Sequence, residues 1–222
     1  METQSPFEEF RNIVVLSGKD IFFNIWTSPR KVFRYIADSE FDNFTVVLSF
    51  LMGVLISFKG IRALDPDRTS SLFGLLAPSI ILGGLFGWVI YYIYAALLNW
   101  AGKWFYGKGN TNSIYRTIIF ANIPTVFILA FFVLKISLFG IEAFKEIPDY
   151  SSLGEFGEFF HSASSLTESI LNLWSLILLV IGIKEIQRYS YFEAILNLVF
   201  PFFVCAIPLF ILIFLLFGIS SF

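Results

Sequence analysis

The chain's single histidine, His161, sits in the stretch GEFFHSASSLT beside Ser162 and one helical turn before Ser164. A histidine near a serine is the smallest pair that could activate a nucleophile, but adjacency alone leaves the base unoriented. The lone cysteine, Cys205, lies far along the chain in an apolar run, where it has no partner for an internal disulfide and says nothing of redox compartment. A zinc site needs several histidine or cysteine ligands, and one of each, far apart, cannot supply them. The carboxylates between Glu142 and Glu158 match no calcium-loop spacing. The GKGN turn at 107–110 lacks the preceding strand and the remaining residues of a phosphate-binding loop. The sequence therefore predicts no catalytic residue, no metal site and no cofactor, and the chain is not expected to be an enzyme.

What remains are small groups of charged and amide side chains set in an apolar background, and that background decides which elements hold them. Of 222 residues, 57% are hydrophobic and 14% charged, with 29 phenylalanines. Soluble domains average about 45–50% apolar and about 25% charged residues. At this size too much surface stays exposed for a soluble fold to hide such a side-chain set. The composition predicts an all-α, polytopic membrane protein. The net charge of −2 says little about partners, and no nucleic-acid partner is expected. The acidic opening METQSPFEEF, followed by a run broken at Lys19 and Asp20, predicts no cleavable signal peptide.

Roughly 20 apolar residues of helix are needed to cross about 30 Å of hydrocarbon. Five stretches approach this: 43–58, 72–100, 116–140, 168–187 and 193–219. They divide the chain into an N-terminal interfacial region, 1–42, and a five-helix membrane domain, 43–222. With the N-terminus in the cytoplasm, ten bases fall inside (Arg11, Lys19, Arg30, Lys31, Arg34, Lys103, Lys108, Arg116, Lys184 and Arg188). Four fall outside, at Lys59, Arg62, Arg68 and Lys145. In the first outer loop, Asp65 and Asp67 partly offset three of these bases. This excess sets the N-terminus inside and the C-terminus outside. Lys135, about a turn from the outer end of its span, is expected to snorkel to the surface. The acidic, phenylalanine-bearing segment 140–167 reads as an outer connector, with short interfacial helices as the alternative.

The stretch SPRKVFRYI carries the clearest surface signal. Ser28 can cap a helix that begins at Pro29, where a missing N–H loses nothing. At 100° per residue Val32, Phe33 and Ile36 share one side, while Arg30, Lys31 and Arg34 share the other. A basic amphipathic helix of this kind lies in the headgroup layer. Pro29, Arg30, Lys31 and Arg34 are thus expected to meet the anionic inner leaflet of the phospholipid bilayer, and the alternative is a soluble protein partner. The preceding segment 12–26 has a narrow polar stripe of Ser17, Asp20 and Asn24 and is expected to lie along the membrane too or to tuck under the bundle.

Within the spans, Ser79, Gly83 and Gly87 recur every four residues and allow close helix approach. That strip serves either packing inside the chain or a homo- or hetero-oligomer with another membrane protein. Trp174, Gly182, Pro201 and Pro208 are further expected packing positions. Pro78, Pro124, Pro201 and Pro208 each remove a helical hydrogen bond where they fall inside a span. Pro201 and Pro208, seven residues apart, should bend the fifth span twice in a related direction. Asn122, Asn172 and Asn197 either bond between helices or line a polar conduit for lipid or a small apolar solute, and Lys184 and Glu185 either pair at the interface or join that conduit.

SPRKVFRYI, WAGKWFYGKGN (100–110), FANIPTVF (120–127) and the run LWSLILLVIGIKEIQRYSYFEAILNLVFPFF, from Leu173 to Phe203, resemble in order and spacing the bacterial branch of the Yip (Ypt/Rab-interacting protein) membrane domain family. The resemblance covers nearly the whole chain and implies a five-helix membrane domain with a cytoplasmic N-terminus, in a bacterial cytoplasmic membrane. In eukaryotic relatives it implies vesicle traffic between endoplasmic reticulum and Golgi, Rab-type GTPases and pairing with related membrane proteins. No Asp-Leu-Tyr-Gly-Pro-like motif precedes the first span here, so Rab binding is not carried over. Bacterial members imply no assigned activity. The two readings that follow are a membrane-organising or partner-recruiting scaffold and, alternatively, a conduit.

Overall fold

Ser17 starts the first helix by a reciprocal cap. Its hydroxyl accepts the Asp20 N–H at 3.2 Å, while the Asp20 carboxylate accepts the Ser17 N–H at 2.9 Å. Two N–H groups that a helix end leaves orphaned are thereby satisfied. The Ser17 hydroxyl, donating to the Asp20 carboxylate at 2.7 Å, and the Ser17 N–H hold that exposed carboxyl below its ordinary pKa. The computed structural model describes residues 16–64, 66, 71–145, 149 and 153–213, with the backbone alone at 205 and 207–213. Arg11, Asp65, Asp67, Arg68, the Cys205 and Pro208 side chains and the fifth expected span beyond residue 213 lie outside the described residues.

Eight helices carry the described chain. Helix α1 is Gly18–Thr27 and α2 is Pro29–Ser39. Helix α3 is Thr45–Ala63, and α4 runs Leu72–Trp104 through a π-helical segment at Ser79–Gly83. Helix α5 is Thr111–Ala121, and α6 is Ile123–Phe139, prolonged by a 3₁₀ turn over Gly140–Phe144. Helix α7 is Gly154–Gln187 and α8 is Tyr191–Ile213. No strand occurs among the described residues.

Four of these stretches are long and apolar enough to cross a membrane: α3, α4, Ile123–Phe144 and α7. With 19 residues α3 is about 28 Å long, which matches the hydrocarbon thickness. In α8 the apolar stretch with described side chains is Tyr191–Val204.

Three expectations about boundaries change. The span at 43–58 extends to Ala63, because Lys59 and Arg62 continue the helix. The span at 116–140 is two helices, because Pro124 has no N–H to offer the preceding turn. Asn122 ends α5 there, its side-chain amide donating to the Ile118 carbonyl at 2.8 Å. Pro124 therefore sits in the first turn of α6, where it breaks no bond. The latter half of 140–167 belongs to α7, because the Phe160 ring packs tilted against Phe139 at 6.1 Å and Ser164 is buried. Helix α8 runs unbroken through Pro201 and Pro208.

The bundle has two apolar cores. At one end Ile25, Phe33, Leu98, Ile118 and Ile183 join α1, α2, α4, α5 and α7. At the other, the Phe58, Phe132 and Phe144 rings meet at 5.8–6.2 Å and join α3, α6 and the 3₁₀ turn. Ion pairs and hydrogen bonds between helices concentrate at these two ends.

Candidate functional site

Helix α2 separates its faces as the spacing of SPRKVFRYI requires. Val32, Phe33 and Ile36 are fully buried, and their cover is protein, supplied by α5 and α7. Gly182 makes this seat: a Cβ there would stand 2.4 Å from Thr117 Cγ2 and 3.1 Å from the Phe33 ring. Arg34 Nε binds Glu185 Oε2 at 2.7 Å, and Lys184 Nζ binds Glu185 Oε1 at 3.0 Å. The carboxylate holds the Arg34 guanidinium above its ordinary pKa. Arg30 donates to the Tyr191 hydroxyl and lies 5.5 Å from the centre of that ring, while Lys184 lies 5.3 Å from it. Lys31 points outward, and Pro29 fills the first turn.

The motif stretches meet at this same end. The Gly109 N–H donates to Gln187 Oε1 at 2.8 Å, and the Tyr189 hydroxyl donates to the Gly102 carbonyl at 2.6 Å. A Cβ at Gly107 would stand 2.4 Å from both Gln187 Oε1 and the Tyr189 hydroxyl, so a side chain there would push the clasp groups aside. The WAGKWFYGKGN turn is thus clasped by the end of α7. Beside the clasp opens a cleft of about 460 Å³ lined by Arg34, Asp38, Lys108, Asn110, Glu185 and Arg188. A second polar cleft, of about 340 Å³, lies next to it around Asn99, Asn112 and Arg116. Arg116 also faces Glu40 and Asp42 at 3.8 and 3.7 Å.

The remaining expected positions fall in separate places. Gly83 and Gly87 receive α3: a Cβ on Gly53 would stand 2.1 Å from the Gly83 carbonyl oxygen and 2.8 Å from Gly87 Cα. Ser79 donates to the Leu75 carbonyl within α4 at 2.7 Å, where Pro78 precedes the π-helical segment. Trp174 packs half-buried against the core of the α2 end, and Pro201 is buried in α8. Asn122 joins α5 to α6, whereas Asn197 is fully buried and donates to the Leu98 carbonyl of α4 at 3.0 Å. Asn172 sits at the far end, accepting from Lys59 Nζ at 3.5 Å. The three asparagines are not brought together, and Lys184 and Glu185 belong to the α2 end.

Lys135 is corrected outright. It does not snorkel but turns inward to Glu168 on α7, Nζ to Oε1 2.7 Å, with side chains 4% and 13% exposed. A base in an apolar span and a carboxylate at the start of the next were the available signal, since each needs a partner when buried. The clasp residues Gln187 and Tyr189 carried no such sign, because amides and phenols commonly lie at helix ends without a tertiary role. Among the described residues no group of three or more histidine, cysteine, aspartate and glutamate side chains is placed to hold a metal ion.

The fold is that of a multi-pass α-helical membrane protein. The chain belongs to the Yip1 domain family, whose model matches residues 23–218. No curated protein and no solved structure matches it.

Proposed function

We propose that the chain is a non-enzymatic, five-crossing scaffold of a bacterial cytoplasmic membrane, with α8 as its fifth crossing, its N-terminus inside and its C-terminus outside. It holds α2 against the anionic inner leaflet and offers the adjoining polar cleft to a second membrane protein or another copy. The observation that carries this reading is the seating of α2. Its apolar face is filled by α5 and α7, and Arg34 is tied to Glu185, so Arg30 and Lys31 are presented by a rigid body. Each such base near an anionic surface adds about 1 kcal/mol.

Charge supports the orientation, since Arg30, Lys31, Arg34, Lys103, Lys108, Arg116, Lys184 and Arg188 gather at the α2 end. The far end carries Lys59, Arg62 and Lys145. A scaffold is favoured over a conduit because the asparagines serve three separate contacts and both polar clefts open at the α2 end.

The orientation is tested with Asn112→Cys and Glu158→Cys in a Cys205→Ser background, both positions being exposed and at opposite ends. In intact cells a membrane-impermeant maleimide should label residue 158 and reach residue 112 only after permeabilisation. The reverse pattern overturns the inner-leaflet reading. In reconstituted vesicles the protein should leave the exchange of a fluorescent phospholipid between leaflets at the protein-free rate. Accelerated exchange would replace the scaffold by the conduit.

A further inference from the structure

Tyr191, the first residue of α8, has two cations at its ring: Arg30 at 5.5 Å and Lys184 at 5.3 Å from the ring centre. Directly below this ring an apolar groove of about 600 Å³ runs between α7 and α8. Its walls include Leu176, Ile177, Val180, Ile195 and Val199. The two features are continuous, because Tyr191 lines the groove as well as meeting the cations.

Charge at the groove's mouth is unbalanced. Arg34 and Lys184 share the Glu185 carboxylate, and Asp38 also acts on Arg34, so the carboxylates here are taken up by these two bases. Among the described residues Arg30 has no carboxylate within ion-pair distance and spends its hydrogen bond on the neutral Tyr191 hydroxyl. A guanidinium and an ammonium gathered at one tyrosine suit a phosphate, which accepts charge-assisted bonds from both. A single apolar furrow running down the helices from that point suits an acyl chain. One molecule joins these chemistries in this order, an anionic phospholipid.

We propose that the chain binds one anionic phospholipid at this site, with its phosphate between Arg30 and Lys184 at the Tyr191 hydroxyl and an acyl chain between α7 and α8. The site deepens the leaflet reading of α2 and rests on it only in placing the cations at headgroup level. The glycerophosphate of the lipid supplies the charge that Glu185 leaves uncompensated. Occupancy ties α2 to α7 and α8 through the ligand as well as through Arg34.

The test is native mass spectrometry of the full chain in mild detergent, titrated with phosphatidylglycerol or with phosphatidylcholine of the same acyl chains. One phosphatidylglycerol per chain should be retained with at least tenfold preference over phosphatidylcholine. R30A/K184A should lower phosphatidylglycerol retention about tenfold, and Lys103→Ala, an exposed base elsewhere on the α2 end, should not. Ile177→Trp, which fills the furrow, should lower retention of both lipids while the helical spectrum is kept. Equal retention by R30A/K184A and the parent overturns the site, as does equal retention of the two lipids. A lipid-free dimer that Ile177→Trp dissociates overturns it by giving the groove to a second copy. Retention in detergent does not depend on which way the chain faces, so maleimide labelling can fail while this test succeeds, and the converse.

Discussion

Gly87→Ala is expected to lower the melting temperature of the detergent-solubilised protein by roughly 6–12 °C, the shift for about 3 kcal/mol in a chain of this size. The added methyl would stand 2.2 Å from Gly53 Cα and 3.1 Å from Gly53 N. Both obstacles are backbone, so no side chain can swing aside and the two helices must separate. On the other side of the same contact, a Cβ on Gly53 meets the Gly83 carbonyl oxygen at 2.1 Å. Lipid is as apolar as the side chains it would displace, so close van der Waals contact is a large part of what holds α3 to α4. Forcing them apart forfeits that contact along the helix pair. Gly60→Ala, in the same helix α3, is the matched control, because a Cβ there meets nothing within 4 Å. Alanine gains up to about 1 kcal/mol of helix propensity over glycine, so this variant should melt at or above the parent temperature. Opposite signs from one chemical change would mark the helix contact itself. Equal shifts for the two variants would show that the glycine seam does not hold the helices.

The sequence made the lipid solvent legible, because 29 phenylalanines and long apolar runs leave a chain few other places to fold. The small-residue strip was legible as well, since Gly83 and Gly87 do receive a neighbouring helix, and that helix is α3 of the same chain. Periodicity also placed Val32, Phe33 and Ile36 on one face of α2. It could not say what covers that face, because lipid and protein select the same apolar side chains. The break at Asn122 was hidden for a related reason. Hydropathy is continuous from α5 into α6, and the interruption is made by one proline and one side-chain amide acting on the backbone. The clasp was least legible of all. Gln187 meets Gly109 across a separation of 78 residues, and neither residue type announces a partner. The bond exists only because the α4–α5 turn and the end of α7 arrive at one place. Side chains that satisfy a local need, as Ser17 and Asp20 do, can be read from spacing; those that join distant turns need the topology first.

The Lys135–Glu168 pair gives the sharpest non-additive test of the far end. Its two side chains are 4% and 13% exposed, and Lys135 Nζ also lies 6.0 Å from the centre of the Phe132 ring. Breaking a buried pair by removing one partner typically costs about 3–5 kcal/mol, because the other charge stays in a medium that cannot solvate it. The two single variants should differ. In Lys135→Met the remaining Glu168 carboxylate still feels Lys59, which bonds Asn172 one turn along α7 at 3.5 Å. In Glu168→Leu the chain keeps Lys135 buried with no carboxylate and leaves Lys59 uncompensated, so this variant should be the more damaged. Replacing both should recover most of the loss, since a buried pair exchanged for apolar side chains of similar volume is often neutral or stabilising by about 1–4 kcal/mol. The measurement is the folded fraction by size-exclusion chromatography after a heating series, run on parent, both single variants and the double variant. The expected order is parent and double variant together, then Lys135→Met, then Glu168→Leu. Additive losses in the double variant would mean that the two charges do not rely on each other. Single variants that behave like the parent would mean that the pair is solvated and the far end of the bundle is open to water.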